Sequence, residues 1–287
     1  MDPALGRKGL FEALNAAGIS PRKSWGQNFL VDANALRAIV AAARIGPEDT
    51  VLEVGPGAGT LTRALANAAH EVIAVEIDPR LAAALPSLLS NLQNVRIVQG
   101  DVLKIDLPSL VEPPYLVVAN IPYYITSALI RRFVELRPSP TRIVLTIQKE
   151  VAERVVASGG TMSLLALGVR VYGQAEIVAR VPATAFYPPP KVDSAVLRIT
   201  PYAEPLIPRE DLTEFFHLAR LGFAQKRKML RNTLSAGLQC SPQQAEELLL
   251  QAGISPTRRA ETLSLEEWQA LTRTYILSHP LPAQGTG

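Results

Sequence analysis

Four short stretches carry residues whose types and order suit chemistry. "VLEVGPGAGTLT" (51–62) holds Glu53, then Gly55, Gly57 and Gly59. "VEIDP" (75–79) holds Glu76, and "QGDVLKID" (99–106) holds Asp101. "LVVANIPYYIT" (116–126) stops an apolar run on Asn120, and Ile121, Pro122, Tyr123 and Tyr124 follow. The first three stretches suit a ligand that carries hydroxyl and amino groups. The fourth suits a flat, hydrogen-bonding one.

The glycine turn invites a dinucleotide reading, which fails in detail. That fingerprint wants glycine at its first, third and sixth places. Gly55 and Gly57 fit, but Thr60 holds the sixth place and the third glycine is Gly59. No Gly-Lys-Ser/Thr closes the loop as a phosphate loop would. Pro56 removes one backbone N–H, a donor that a diphosphate would use. A carboxylate at the end of the second strand can accept both hydroxyls of an unphosphorylated ribose. Asp101, after the third strand, can accept from an adenine amino group. The ordered set points to a nucleoside without phosphates, S-adenosylmethionine. The competing reading is that Glu76 and Asp101 only cap helices.

Asn120-Ile121-Pro122-Tyr123 suits an exocyclic amine of adenine as methyl acceptor. The amide oxygen of Asn120 can accept one N–H, and a nearby backbone carbonyl the other. Pro122 restricts the backbone around it, and Tyr123 can stack on the base.

These residues need a scaffold, and the pattern around them predicts one. "TVLEVG", "EVIAVE", "VRIVQG", "YLVVAN" and "RIVLTIQ" read as short buried strands, with helix-like stretches at 60–69 and 79–92. Alternation of this kind predicts a largely parallel α/β sheet with helices on both faces. Segments around 169–181 and 193–199 read as added strands, with the stiff Pro188-Pro189-Pro190 between them. "KSWGQNFL" (23–30) is expected to lie ahead of the first helix and to close over a cofactor or RNA; its competing reading is a helix entry packed by Trp25 and Phe29. After about 204 the pattern turns to amphipathic helices, with cap signals at Ser241-Pro242 and at Ser264 with Glu267. The expected division is 1–203 and 204–287, hinged at "YAEPLIP" (202–208), with a frayed tail after 279.

Composition narrows the class. The 287 residues are 48% apolar and 19% charged, as in globular proteins. No apolar run reaches membrane-spanning length, and the N-terminus lacks the apolar stretch of an export signal. One cysteine, Cys240, excludes an internal disulfide and makes the cytoplasm the expected compartment. Three scattered histidines show no metal spacing, so no metal is expected. The net charge is only +3, yet 219–234 carries Arg220, Lys226, Arg227, Lys228 and Arg231 with no acid. Such a stripe is either a phosphate-binding surface or a solvated helix face.

Taken together, "SWGQNFLVD", "LEVGPGAGTLT", "VEID", "GDVLKID", "NIPYYIT", "FYPPPKVDSAVLRI" and "FAQKRKMLRNTL" resemble the ribosomal RNA adenine N6,N6-dimethyltransferase family, and within it the bacterial small-subunit branch. The resemblance implies a Rossmann-like S-adenosylmethionine-dependent methyltransferase sheet and a second, smaller all-helical domain. It implies dimethylation of two adjacent adenosines in a hairpin near the 3′ end of small-subunit ribosomal RNA, with a part in small-subunit biogenesis. Cofactor contacts are implied from Asn28, Leu30, Gly55, Glu76, Asp101 and Asn120. The acceptor amine is placed at Asn120, with Tyr123 and Phe186 as aromatic walls. Arg22 and Lys23 at the mouth, with Arg220, Lys226, Arg227, Lys228 and Arg231, are expected to contact RNA phosphates. A monomer is expected. A large-subunit methyltransferase of the antibiotic-resistance type is the rival within enzymes. A mainly non-catalytic ribosome-assembly or RNA-binding factor is the rival outside them.

Overall fold

The computed structural model describes residues 6–16, 18–22, 25–157 and 160–279. Lys23 and the tail beyond His279 lie outside the described residues. The chain divides into two compact units: residues up to 153 with 173–203, and 154–172 with 204 onward.

The first unit opens with α1 (Gly6–Ala16), β1 (Phe29–Leu30), α2 (Ala33–Ala43), β2 (Thr50–Val54), α3 (Thr60–Ala66), β3 (Glu71–Glu76) and α4 (Pro79–Leu88). Next come β4 (Val95–Gln99), β5 (Tyr115–Asn120), α5 (Thr126–Glu135), β6 (Arg142–Gln148) and α6 (Lys149–Val156). After α7 (Leu164–Tyr172), the strands β7 (Gly173–Val181), β8 (Phe186–Tyr187) and β9 (Ser194–Pro201) complete it. Seven strands form one sheet in the order β4-β3-β2-β5-β6-β9-β7. The five from β4 to β6 are parallel; β9 runs antiparallel to β6 at that edge, and β7 runs antiparallel to β9.

The central strands bury nearly every residue, because helices cover both of their faces. Leu36 and Ile39 of α2 and Leu61 and Leu65 of α3 pack on Val51, Val72, Leu116, Val118 and Val144. The five expected strands all form. The later segment divides differently: 164–172 is helical and the strand starts at Gly173. An apolar run such as "LLALGVRVYG" does not reveal its period, and burial of Val169, Val171 and Tyr172 on a helix decides it. The "KSWGQNFL" segment is also not ahead of the first helix. The helix α1 precedes it, and Leu10, Leu14 and Ile19 cluster with Phe29, Ala58 and Leu81.

The second unit gathers α7 with α8 (Leu212–Phe223), α9 (Leu230–Leu238), α10 (Pro242–Gln251) and α11 (Leu265–Ser278). Capping boxes start α10 at Ser241/Gln244 and α11 at Ser264/Glu267. Trp268 is fully buried and stacks on Phe223, with ring centroids 5.7 Å apart. The stretch "FAQKRKMLRNTL" is not one helix: residues 224–229 turn between α8 and α9. Beyond the turn, Leu230 and Leu234 are both fully buried. The turn is held by the Leu230 N–H, which donates to the Arg258 carbonyl at 2.7 Å. The 202–208 linker is also anchored rather than loose, since the Leu206 N–H donates to Val171 at 2.8 Å and Ile207 is buried.

Candidate active site

Parallel strands place their C-terminal ends on one edge of the sheet. The order β4-β3-β2-β5 reverses its direction of winding between β2 and β5, and a crevice opens at such a switch. Gly55 follows β2, Glu76 ends β3, Asp101 lies just past β4 and Asn120 ends β5. All four line one cleft of about 250 Å³, together with Asn28, Leu30, Tyr123 and Phe186. Every residue singled out from sequence for cofactor or acceptor thus borders the same cavity.

The loop after β2 has to be glycine-rich. Gly55, Gly57 and Gly59 hold φ of +71°, +58° and +80°, where side chains are strained. A Cβ on Gly59 would also stand 2.8 Å from Leu89. The Gly57 N–H donates to Glu76 Oε2 at 3.1 Å, and the Asp78 N–H donates to Oε1 at 2.9 Å. Glu76 is buried, and burial pushes its carboxyl above the ordinary range. It does not cap α4; Asp78 does, just before Pro79. An ionised carboxylate has about four acceptor positions, so each Glu76 oxygen keeps one beyond its backbone N–H. Asp101 is not a helix cap either. Its Oδ1 accepts from the Leu103 N–H at 2.9 Å and closes a turn.

At the acceptor end, Asn120 Nδ2 donates to the Asn28 carbonyl at 3.1 Å. That bond settles which way the amide faces and leaves Oδ1 without a partner among the described residues. The Tyr123 hydroxyl and Ser194 Oγ are 2.8 Å apart, which ties the half-buried ring to the first residue of β9. Burial also pushes this phenol above its ordinary range.

The strands β1 and β8 pair antiparallel, Phe29 opposite Tyr187 and Leu30 opposite Phe186. This small ladder joins "QNFL" to "FYPPPK". Phe186 is both things the sequence allowed: a core residue only 1% exposed, and part of the cleft wall. Gln27 ties the same N-terminal strap to α4. Its Nε2 donates to Asp78 Oδ2 at 3.1 Å, and its Oε1 accepts from the Arg22 N–H at 2.8 Å. Asp78 is buried, and the Arg80 guanidinium, 2.6 Å from it, holds its carboxyl down at about 2. Sequence reasoning gave no role to Asp78 or Ser194. The Asp-Pro pair is the one local signal for the first, and nothing local marks the second.

Glu53 lies beneath the loop, fully buried, and burial raises its pKa to about 8. Neither carboxyl oxygen has a hydrogen-bond partner in the described structure. The nearby Thr62 hydroxyl favours the charged form only slightly against that burial.

The basic residues divide. Arg22 is exposed, with its guanidinium 5.6 Å from the centre of the Trp25 ring. Arg220 is exposed on α8, and Lys226, Arg227 and Lys228 are exposed on the turn after it. Arg231 is paired instead, its guanidinium 2.8 Å from Glu246 on α10. The sequence window around Arg231 holds no acid, but the fold supplies one from outside it.

The Rossmann-like sheet with this cleft at its switch point, together with the family match, places the chain among methyltransferases of the S-adenosylmethionine-dependent type. The chain belongs to the ribosomal RNA adenine dimethylase family, whose model matches residues 18–276. The chain is 45% identical over 266 residues to the ribosomal RNA small subunit methyltransferase A of Dehalococcoides mccartyi, covering 92% of this chain and 91% of that one. Among solved structures, the 23S rRNA methyltransferase ErmE is similar, with a TM-score of 0.68 and 33% identity over 86% of this chain and 99% of that one. A dimethyladenosine transferase from Plasmodium falciparum is similar too, with a TM-score of 0.69 and 28% identity over 85% of this chain and 95% of that one.

Proposed function

We propose that the chain dimethylates N6 of two adjacent adenosines in a hairpin near the 3′ end of small-subunit ribosomal RNA. It does so in the cytoplasm, as a monomer, during small-subunit biogenesis. The observation that carries this reading is the single cleft, in which the Asn120–Tyr123 end adjoins the Gly55, Glu76 and Asp101 end.

The residues present fit S-adenosylmethionine. The loop offers bare backbone instead of a phosphate cradle, and Glu76 keeps acceptor positions for a ribose diol. Asp101 would accept from the adenine amine, while Asn28, Leu30 and Gly55 would enclose the remainder, with Asn120 beside the reacting end. When bound, the cofactor supplies an electrophilic methyl group.

The chain's own work is positioning. The acceptor nitrogen is a weak nucleophile because its lone pair is delocalised into the ring. Asn120 Oδ1 accepts one of its N–H bonds, and a backbone carbonyl of the Asn120–Pro122 turn accepts the other. The lone pair is then turned toward the methyl group. Tyr123 stacks on the base, its ring fixed by Ser194, and Phe186 stiffens the wall behind it. No strong base is required, since the methylated ammonium loses its proton to water. Fixing two reactants in line accounts for most of the acceleration, once the base has been taken out of its stack.

The small-subunit target is favoured by the printed name of the curated relative, at 45% identity over nearly the whole chain. The resemblance to ErmE favours a second reading, methylation of large-subunit RNA. The test is methyl transfer from labelled S-adenosylmethionine to unmodified small subunits, large subunits and naked RNA, with products mapped by mass spectrometry. Dimethyladenosine at neighbouring positions of small-subunit RNA is the expected result. Label confined to large-subunit RNA would establish the second reading, and binding without transfer would indicate an assembly factor.

A further inference from the structure

We propose that Tyr124 and Trp25 form a second base platform at the mouth of the cleft, which takes the unpaired nucleobase next to the target adenosine in the same strand. The proposal rests on the RNA adenine reading above. Tyr124 lines the cleft, yet 66% of it is exposed. It is the one aromatic among the large apolar side chains exposed in the described structure. The backbone of the strap runs close beside the ring: a Cβ on Gly26 would stand 3.6 Å from it. Gly26, at φ +62°, turns the strap so that Trp25 borders the same cleft. Arg22 lies against the Trp25 ring and has no carboxylate partner in the described structure. Aromatic faces beside an unpaired cation are what single-stranded nucleic acid binds.

The pairing of Tyr123 with Tyr124 gives the platform its role. Tyr123 is tied inward by Ser194, and Tyr124 faces outward one residue later. Two consecutive rings, one half-buried and one exposed, match two consecutive bases, one flipped in and one left outside. Flipping the target strips its neighbour of a stacking partner. Tyr124 replaces that partner. With two adjacent adenosines as targets, whichever is outside the cleft is the one that rests on Tyr124.

The test compares wild type, Tyr124→Ala and Tyr124→Phe. KM for small subunits and the affinity for S-adenosylmethionine are measured separately. Loss of one stacked base should raise KM by about 5- to 100-fold in Tyr124→Ala. Tyr124→Phe should stay near wild type, and cofactor affinity should not change in either variant. A second readout uses a short single-stranded RNA with 2-aminopurine next to the target adenosine. Its fluorescence should be quenched by wild type and Tyr124→Phe and restored in Tyr124→Ala. Unchanged KM together with equal quenching in all three proteins would overturn the platform. Methyl transfer by wild type in the same series checks the functional reading separately, because the fluorescence reads binding with no methyl transferred.

Discussion

The Asn120 amide is divided between two tasks. Its N–H is committed to the Asn28 carbonyl, and its oxygen is the group proposed to accept from the target amine. Asn120→Ala should therefore lower kcat at least about a hundredfold, the order of loss that misplaced reactants cause. Binding of S-adenosylmethionine should survive, read by calorimetry on the same protein. Turnover at the wild-type rate would refute the role. Glu53 supports a different prediction. Its folded pKa of about 8 is above the ordinary 4.5, so the native state holds a proton that the unfolded chain releases. Stability from this site is full below about pH 4.5 and is lost as pH rises toward 8. Glu53→Gln removes the titration. Its melting temperature should match wild type in acid and exceed it increasingly up to about pH 8. An offset that does not vary with pH would count against a neutral Glu53.

The strap from Trp25 to Leu30 forms one wall of the cleft. It is held at one end by the β1–β8 ladder and in the middle by Gln27 on Asp78. Asp78 in turn donates its N–H to Glu76, so the strap and the carboxylate proposed to hold the ribose share one hydrogen-bonded chain. Gln27→Ala breaks this chain without changing a residue assigned to the cofactor, although it also frees the Arg22 N–H. A hydrogen bond to a charged group contributes about 1.5–3 kcal/mol, and part of that should appear as cofactor affinity weakened about tenfold. The melting temperature should fall by only a few degrees, because the core of the sheet does not involve Gln27. Weakened affinity with a large loss of stability would instead mean that Gln27 is merely structural. The turn between α8 and α9 teaches the converse lesson. Its residues have ordinary helix propensity, and the break goes with tertiary partners: Leu230 and Leu234 are fully buried and the Leu230 N–H donates to Arg258.

Across the whole molecule the net charge is small, so phosphate binding depends on where the charge sits. Arg220, Lys226, Arg227 and Lys228 form an exposed group, whereas Arg231 is compensated by Glu246. Neutralising the four exposed residues should weaken RNA binding and reduce the slope of log affinity against log salt by about 3. Neutralising Arg231 alone should leave that slope unchanged and lower stability slightly, since a half-exposed ion pair contributes under about 1 kcal/mol. Filter binding across a salt series tests both, and an unaltered slope in the fourfold variant would rule out the surface.

Strand-by-strand alternation, the glycine turn, and carboxylates at successive strand ends were legible in the sequence, because buried parallel strands and left-handed turns restrict local residue types. From them came the sheet, the cofactor class, and Gly55, Glu76 and Asp101; Asn120 and Tyr123 came from the amide-proline motif, and Asn28, Leu30 and Phe186 only from the family resemblance. The tertiary structure alone decided what depends on distant partners. It paired Leu30 with Phe186, tied Tyr123 to Ser194 and Gln27 to Asp78, and set Glu246 against Arg231. It also assigned 154–172 to the second unit. None of these has a local pattern to read: a hydrogen bond or ion pair between distant segments depends on where the sheet order and helix packing deliver each side chain.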